Sequence, residues 1–206
     1  YFFIYVPVTY TVWGLLAWIS ELLHPGGGPM PALFHLSNVL LHTVNALLVY
    51  RLLVFFMGPG WAACAGALLF ALHPLQVENV AWVSGMMHLL AGSLSLTSLW
   101  LYLLHARRAQ AVASLRSRRV PYWAALGLFL LALLAKPSAA ALPLIAWVLD
   151  CLLIGRNWRA ATRALAPWLL PAAAAAALLP LIDPQTLEVA RTPLWLRPLV
   201  AGDAVA

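Results

Sequence analysis

The residues best able to bind polar groups or transfer protons lie in one stretch, from His73 to His88, which also contains Glu78. Imidazoles and a carboxylate can bind polar groups or transfer protons near neutral pH. Pro74 suits the first turn of a helix, and Glu78 would then lie near the N-terminus of that helix, where the helix dipole stabilises a carboxylate. Glu78 therefore has two open interpretations, a helix cap or part of a functional site.

His88 joins this hypothesis through helical spacing. We predict one helix over residues 76–105, and its period places five residues on one face: Glu78, Gly85, His88, Gly92 and Ser95. An acid and an imidazole would then face a groove floored by glycines. Ionisable residues in or near a bilayer are functional-site candidates, so this face is a second reason to consider Glu78 and His88.

Lys136, followed by Pro137, interrupts two apolar segments. Its long side chain could simply reach the membrane interface. It could equally hold a phosphate or pyrophosphate, since an ammonium near the free amides of a helix N-terminus favours an anion. Both interpretations stay open.

A polar face is also predicted on an earlier helix. His35, Asn38, His42 and Asn45 follow each other at spacings of three, four and three residues, which puts all four on one side. That side should face protein and not lipid. It either forms hydrogen bonds between helices or lines a substrate cavity.

The composition indicates that the segments carrying these residues are surrounded by lipid. Of 206 residues, 64% are hydrophobic and 9% are charged, against about 25% charged in soluble domains. Apolar runs recur along the chain, and we predict helices over 8–23, 34–56, 61–72, 76–105, 122–135, 138–154 and 164–181. The fold class is therefore an all-α, polytopic transmembrane helix bundle, in which helices satisfy their own backbone groups within lipid.

The net charge of +6 is a topology signal, because the basic residues are confined to short stretches between apolar runs. This distribution argues against a nucleic-acid partner. Arginine-rich loops stay in the cytoplasm, which predicts a cytoplasmic location for 107–119 and 156–163. The regions 24–28, 73–79, 136–137 and 183–185 are then extracytoplasmic. Cys64 and Cys151 have no metal-binding spacing and are interpreted as packing residues.

Several motifs resemble the multi-pass part of the transmembrane O-mannosyltransferase and tetratricopeptide-repeat membrane protein family, which has the glycosyltransferase family C fold. They are Tyr5-Val-Pro-Val-Thr, Phe34-His-Leu-Ser-Asn-Val-Leu-Leu-His, Phe70-Ala-Leu-His-Pro-Leu-Gln-Val-Glu-Asn-Val-Ala-Trp-Val, Leu133-Leu-Ala-Lys-Pro and Leu149-Asp. The His-Pro-x-x-x-Glu-x-Val-Ala block is the most specific of these motifs. The resemblance implies transfer of a sugar from a polyprenyl-phosphate carrier to a protein or glycan acceptor on the extracytoplasmic side.

The resemblance also implies roles for individual residues. His73, Glu78, His88, Lys136 and Tyr5 would shape the substrate-binding site. The general base of this fold lies in a first external loop, which would precede Tyr1, so we expect a fragment of a longer protein with tetratricopeptide repeats after it. No cofactor is expected besides the lipid-linked donor, and a requirement for a divalent metal stays open.

This chain departs from the family pattern at two places. Val6 stands where members usually have an arginine, and Met86, Met87 and His88 stand where they have an Arg-Lys-Asp-like triplet. The lost charges favour an alternative function, a catalytically inactive membrane scaffold whose appended repeats bind protein partners.

The expected organisation is a single multi-pass domain over residues 1–206. Within it, residues 1–33 form an external interfacial segment and loop, residues 34–181 form the transmembrane helices, and residues 182–206 form an external loop and the start of a further segment. The expected location is the bacterial cytoplasmic membrane.

Overall fold

The computed structural model describes residues 6–110 and 115–182, and these are helical, with no strand among them. This confirms the all-α prediction. The α-helices are α1 (Pro7–Leu23), α2 (Pro31–Met57), α3 (Trp61–Ala71), α4 (Leu75–Ala81), α5 (Met86–Gln110), α6 (Leu115–Ala135), α7 (Leu142–Leu152) and α8 (Trp158–Ile182). Two short 3-10 helices, Val83–Gly85 and Pro137–Ala141, precede α5 and α7.

The helix boundaries follow from proline and glycine. Pro7 and Pro31 lie in the first turns of α1 and α2, where a missing backbone N–H costs nothing. Gly58 ends α2 with φ of 83°, a left-handed conformation that glycine adopts without strain. The chain then turns back, and α3 packs against α2.

Contacts between distant segments divide the bundle into two ends. At the lysine end, the start of α5 meets the residue after α6, since Lys136 contacts His88. At the arginine end, the last turn of α5 meets the last turn of α2, where the Arg107 guanidinium lies 4.5 Å from the centre of the Phe55 ring. The positive-inside prediction requires this separation of Lys136 from the arginines. The location of the arginine end in the cytoplasm stays a prediction.

The main core surrounds α5 and α6 toward the arginine end. Tyr102, Phe129 and Trp168 are fully buried there, and the rings of Phe129 and Trp168 stack at 5.0 Å. The Ser98 hydroxyl donates to the Ala125 carbonyl oxygen at 2.7 Å, which joins α5 to α6. Tight packing fixes the relative positions of the helices that carry the polar groups.

Among the described residues, two helical stretches are long and apolar enough to cross a membrane, Pro31–Met57 and Val83–Ala109. Shorter apolar helices cover Trp61–Ala71, Pro121–Ala135 and Pro137–Leu152. Large apolar side chains such as Leu47, Leu69 and Leu170 point outward and are exposed. In lipid these side chains face a solvent as apolar as themselves.

Helix α1 lies against the lysine ends of three other helices. The Thr9 hydroxyl donates to the Ala135 carbonyl oxygen of α6 at 3.1 Å, and Leu16 packs with Phe34 of α2 and Met86 of α5. Because contacts from the first turn and from the middle of α1 are both made at the lysine end, α1 lies across that end of the bundle.

One predicted helix is wrong. The segment 76–105 is not continuous: α4 ends at Ala81, Trp82 is extended, and α5 starts at Met86. The other predicted segments differ at their boundaries, and the segment predicted to start at 138 begins instead with the 3-10 helix Pro137–Ala141. The predicted extracytoplasmic region 183–185 lies outside the described residues.

Candidate functional site

The connection from α3 to α5 contains the residues predicted from sequence to be a site. His73 is exposed after α3, and its Nδ1 accepts the backbone N–H of Leu75 at 3.2 Å. A neutral His73 therefore carries its proton on Nε2. The side chain caps the first turn of α4, so His73 has a local structural role independent of any ligand.

The break between α4 and α5 is stabilised by a tertiary contact with α2. The Asn38 side-chain amide, fully buried on α2, donates to the carbonyl oxygens of Trp82 at 2.8 Å and Val80 at 3.3 Å. These oxygens therefore have a partner outside their own helix. At Gly85, a Cβ would lie 2.1 Å from the Asn79 carbonyl oxygen, so only glycine fits where the chain reverses.

The reversal corrects the predicted face. Glu78 lies in the first turn of α4, which ends at Ala81, so it does not share a face of α5 with His88, whereas Gly85 ends the 3-10 helix that leads directly into α5. A continuous helix would have separated Glu78 from His88 by about 15 Å. In the fold, the Glu78 carboxylate acts electrostatically on His88.

Lys136 meets His88 across the lysine end. Its backbone is extended, as expected for a residue before proline, and this ends α6 and directs the chain toward α7. Lys136 Nζ lies 2.6 Å from Nδ1 of His88. Partial burial lowers the pKa of the Lys136 amine from its usual value.

His88 and Lys136 line a groove of about 260 Å³, which we call the Lys136 groove. Its polar side chains are His88, Ser95, Lys136 and Ser138, and its other lining residues are Ala91, Gly92, Ala139, Ala141, Leu142 and Ile145. A cationic group beside an apolar wall suits an amphiphilic ligand that has an anionic head and a hydrocarbon chain.

His73 belongs to a different groove, of about 430 Å³, which we call the histidine groove. Its polar lining residues are His35, His42, His73 and Gln76, and its apolar lining comes from Ala71, Leu72, Val77, Val80 and Ala81. The predicted site residues are thus divided between two grooves: His88 and Lys136 in one, His73 in the other. Tyr5 lies outside the described residues.

The predicted polar face of α2 forms hydrogen bonds to other segments through Asn38 and Asn45 and lines a groove with His35 and His42. Asn38 and Asn45 are buried and hydrogen bond to other helices, with Asn45 donating to the Leu89 carbonyl oxygen at 3.0 Å and accepting from Ser93 at 2.7 Å. His42 Nε2 lies 3.0 Å from the Ala71 carbonyl oxygen and also lines the histidine groove. His35, the first residue of this face, is exposed and lines the same groove.

Two of the residues that depart from the family pattern contribute to apolar packing. Val6 and Met86 are buried, and Met86 packs with Leu16 and Phe34. Apolar packing therefore fills the places where the resemblance expects charge. Within the described residues, no three His, Cys, Asp or Glu side chains are grouped closely enough to hold a metal ion.

Sequence reasoning missed one ionisable cluster, at the arginine end. Asp150 is fully buried, the Tyr102 hydroxyl donates to its Oδ2 at 2.7 Å, and Arg156 Nη1 lies 3.4 Å from the same oxygen. The available signal was a lone acid in an apolar segment six residues before an arginine, because such an acid needs a partner.

The chain is similar in sequence to protein O-mannosyl-transferases. It is 43% identical over 82 residues to protein O-mannosyl-transferase Tmtc2 of Drosophila melanogaster, covering 40% of this chain and 9% of that protein. It is 37% identical over 85 residues to TMTC2 of Mus musculus, covering 41% of this chain and 10% of that protein. It is 30% identical over 167 residues to TMTC4 of Homo sapiens, covering 74% of this chain and 21% of that protein.

The chain thus spans between 9% and 21% of the length of these relatives. No protein-family profile and no solved structure matches it. The family resemblance carried by the sequence motifs is confirmed by these similarities.

Proposed function

Since this chain is related to the transmembrane protein O-mannosyl-transferases, we propose that it forms the part of a membrane glycosyltransferase that binds a polyprenyl-phosphate sugar. The observation that carries the proposal is the Lys136 groove, in which Lys136 and His88 stand beside an apolar wall. The ammonium would contact the phosphate, and the prenyl chain would lie along Leu142 and Ile145.

The sugar would be transferred to a protein or glycan acceptor on the extracytoplasmic side. Glu78 is exposed and does not line the groove, but its charge acts on His88, and through that residue it could influence the polar groups of the site. The general base and the tetratricopeptide repeats are proposed to lie in the full-length protein outside residues 1–206. The relatives with which we compared the chain are animal proteins and give no support to the bacterial cytoplasmic membrane, so the proposal specifies an integral membrane protein only.

Removing the lysine charge tests the groove. In the full-length protein, Lys136→Met should weaken binding of a polyprenyl phosphate by about tenfold or more, since it deletes the ammonium beside the phosphate. Lys136→Arg should retain most of the affinity. Arg108→Met is the matched control, because it removes one exposed cation at the arginine end. Equal affinities for wild type, Lys136→Met and Arg108→Met would refute this site.

A transfer assay separates the enzyme from the second candidate, a catalytically inactive scaffold. The buried Val6 and Met86 favour the scaffold, because they place apolar side chains where the family has charge. The full-length protein in detergent should be incubated with labelled polyprenyl-phosphate sugars, mannose first, and an acceptor extract. Transfer that depends on Lys136 supports the enzyme; binding without transfer of any sugar supports the scaffold.

The extracytoplasmic location has its own test. Single cysteines should be introduced into a variant that lacks Cys64 and Cys151, and intact cells treated with a membrane-impermeant thiol reagent. A cysteine at Gln76 should be labelled and one at Arg108 should not. Labelling at Arg108 alone would place the groove on the cytoplasmic side.

A further inference from the structure

The contact between Lys136 and His88 holds one positive charge. A lysine ammonium only donates hydrogen bonds, and an imidazole nitrogen accepts one only when it carries no proton. With Nζ and Nδ1 2.6 Å apart, the Lys136 ammonium therefore donates to an unprotonated Nδ1 of His88, and the pair carries one positive charge. Two protonated side chains at that distance would repel each other.

Few other charges act on this pair. Glu78 of α4 interacts with His88, and α2 presents to α5 the uncharged Asn45. From α1, Leu16 packs against Met86, and the groove lining from the 3-10 helix and α7 is Ser138 with alanine, leucine and isoleucine. Within the described lining residues of the groove, His88 and Lys136 are the titratable ones.

We propose that the Lys136 groove binds a phosphate monoester dianion and that His88 takes up one proton when it does so. The inference rests on the proposed function, because the monoester is the carrier left after the sugar has been transferred. A phosphate oxygen replaces His88 Nδ1 as the acceptor of the Lys136 N–H. His88 Nδ1 then binds a proton from solvent and becomes a second donor to the phosphate.

The charges balance in this state. A phosphate monoester has a second pKa of about 6 and so carries close to two negative charges at a pH of about 7.5, and Lys136 with protonated His88 supplies two positive charges. The only bonds that change are those to the proton, which moves from a solvent or buffer acid to Nδ1 of His88. A glycosyl phosphodiester carries one negative charge, so it needs only Lys136. The pair therefore distinguishes the spent carrier from the loaded donor by charge.

Titration calorimetry can measure the number of protons taken up when the phosphate binds. Full-length protein in detergent should be titrated with polyprenyl phosphate at pH 7.5 in two buffers of different ionisation enthalpy, and the difference in binding enthalpy gives the protons taken up. We expect close to one proton per phosphate in the wild type and close to none with polyprenyl-phosphate mannose. Inorganic phosphate distinguishes the source: binding as tight as that of the lipid would mean that the groove takes free phosphate.

The His88→Gln variant is the matched control, because its amide oxygen can still accept from Lys136 but its side chain cannot titrate. It should bind the monoester about tenfold more weakly, with no proton uptake. Wild-type binding without proton uptake, or uptake retained in His88→Gln, would overturn the inference and leave the proposed function intact. Absence of saturable binding to any polyprenyl phosphate would remove both. The wild-type titration decides the question even if the variant does not fold.

Discussion

The lysine end and the arginine end of the bundle each bring ionisable side chains from different segments together, but in different surroundings. At the arginine end, Asp150 is fully buried and Arg156 is 13% exposed, with Tyr102 completing the cluster. At the lysine end, His88 is exposed and Lys136 is partly buried beside an open groove. Contacts between polar or ionisable side chains are thus buried at the arginine end and accessible at the lysine end.

The difference in burial indicates a structural role for the arginine end and a binding role for the lysine end. A buried carboxylate must keep its protein partners, because losing one leaves an uncompensated charge. An accessible ammonium contributes little to stability and can exchange its protein partner for a ligand. We therefore expect variants at the arginine end to alter folding and variants at the lysine end to alter binding or transfer.

The largest effect is expected at Asp150. Asp150→Ala leaves the Arg156 charge without its ion-pair partner and the Tyr102 hydroxyl without its acceptor, which should cost about 3 to 5 kcal/mol of unfolding free energy. Chemical denaturation in detergent, followed by tryptophan fluorescence, measures it. Asp150→Asn, which keeps an acceptor for Tyr102, should be milder. A loss below about 1 kcal/mol in Asp150→Ala would show that the cluster is not structural.

Glu78 gives the largest functional effect expected at the lysine end. Glu78→Gln preserves the shape of the side chain but removes its charge, and transfer by the full-length protein should fall about a hundredfold if that charge orders the site. Unfolding should change little, because Glu78 is exposed. Initial rates at matched protein levels test it. Near-normal turnover would leave Glu78 as a helix cap.

Tyr102→Phe sharpens the comparison, since it removes one hydrogen bond and retains the ring. Loss of a hydrogen bond to a buried carboxylate should cost about 2 kcal/mol. The same denaturation experiment measures it, with Tyr122→Phe as a control that removes a bond to the Ala164 carbonyl oxygen, a neutral acceptor. Equal effects of the two variants would mean that the Asp150 charge adds nothing.

The smallest effect on stability is expected for Lys136→Met. Its ammonium is partly solvated and hydrogen bonds to the exposed His88 side chain, so the unfolding free energy should change by less than about 0.5 kcal/mol. Denaturation beside the binding titration compares the two effects in one protein. A stability loss as large as that of Asp150→Ala would mean that the charged residues at both ends have a structural role, and the proposed difference between the two ends would be wrong.

Much of this fold could be predicted from sequence because the signals are local. Proline and glycine near residues 31 and 58 set the limits of α2, and long apolar runs give the other helices. The reversal between α4 and α5 could not be predicted, because it depends on Asn38, which lies 44 residues before Trp82. The helical periodicity of the sequence continues through the break, so it predicted that Glu78 and His88 belong to one helix, whereas Glu78 is in α4 and His88 is in α5.

The sequence alone determined that the chain is helical, apolar and related to the protein O-mannosyl-transferases, since composition, periodicity and motifs are properties of the chain itself. Only the tertiary structure decided which polar residues meet. His88 and Lys136 are 48 residues apart and touch, whereas His73 lines another groove. The physical reason is that contacts between helices depend on their crossing and rotation, which are set by packing over the whole bundle and not by local spacing.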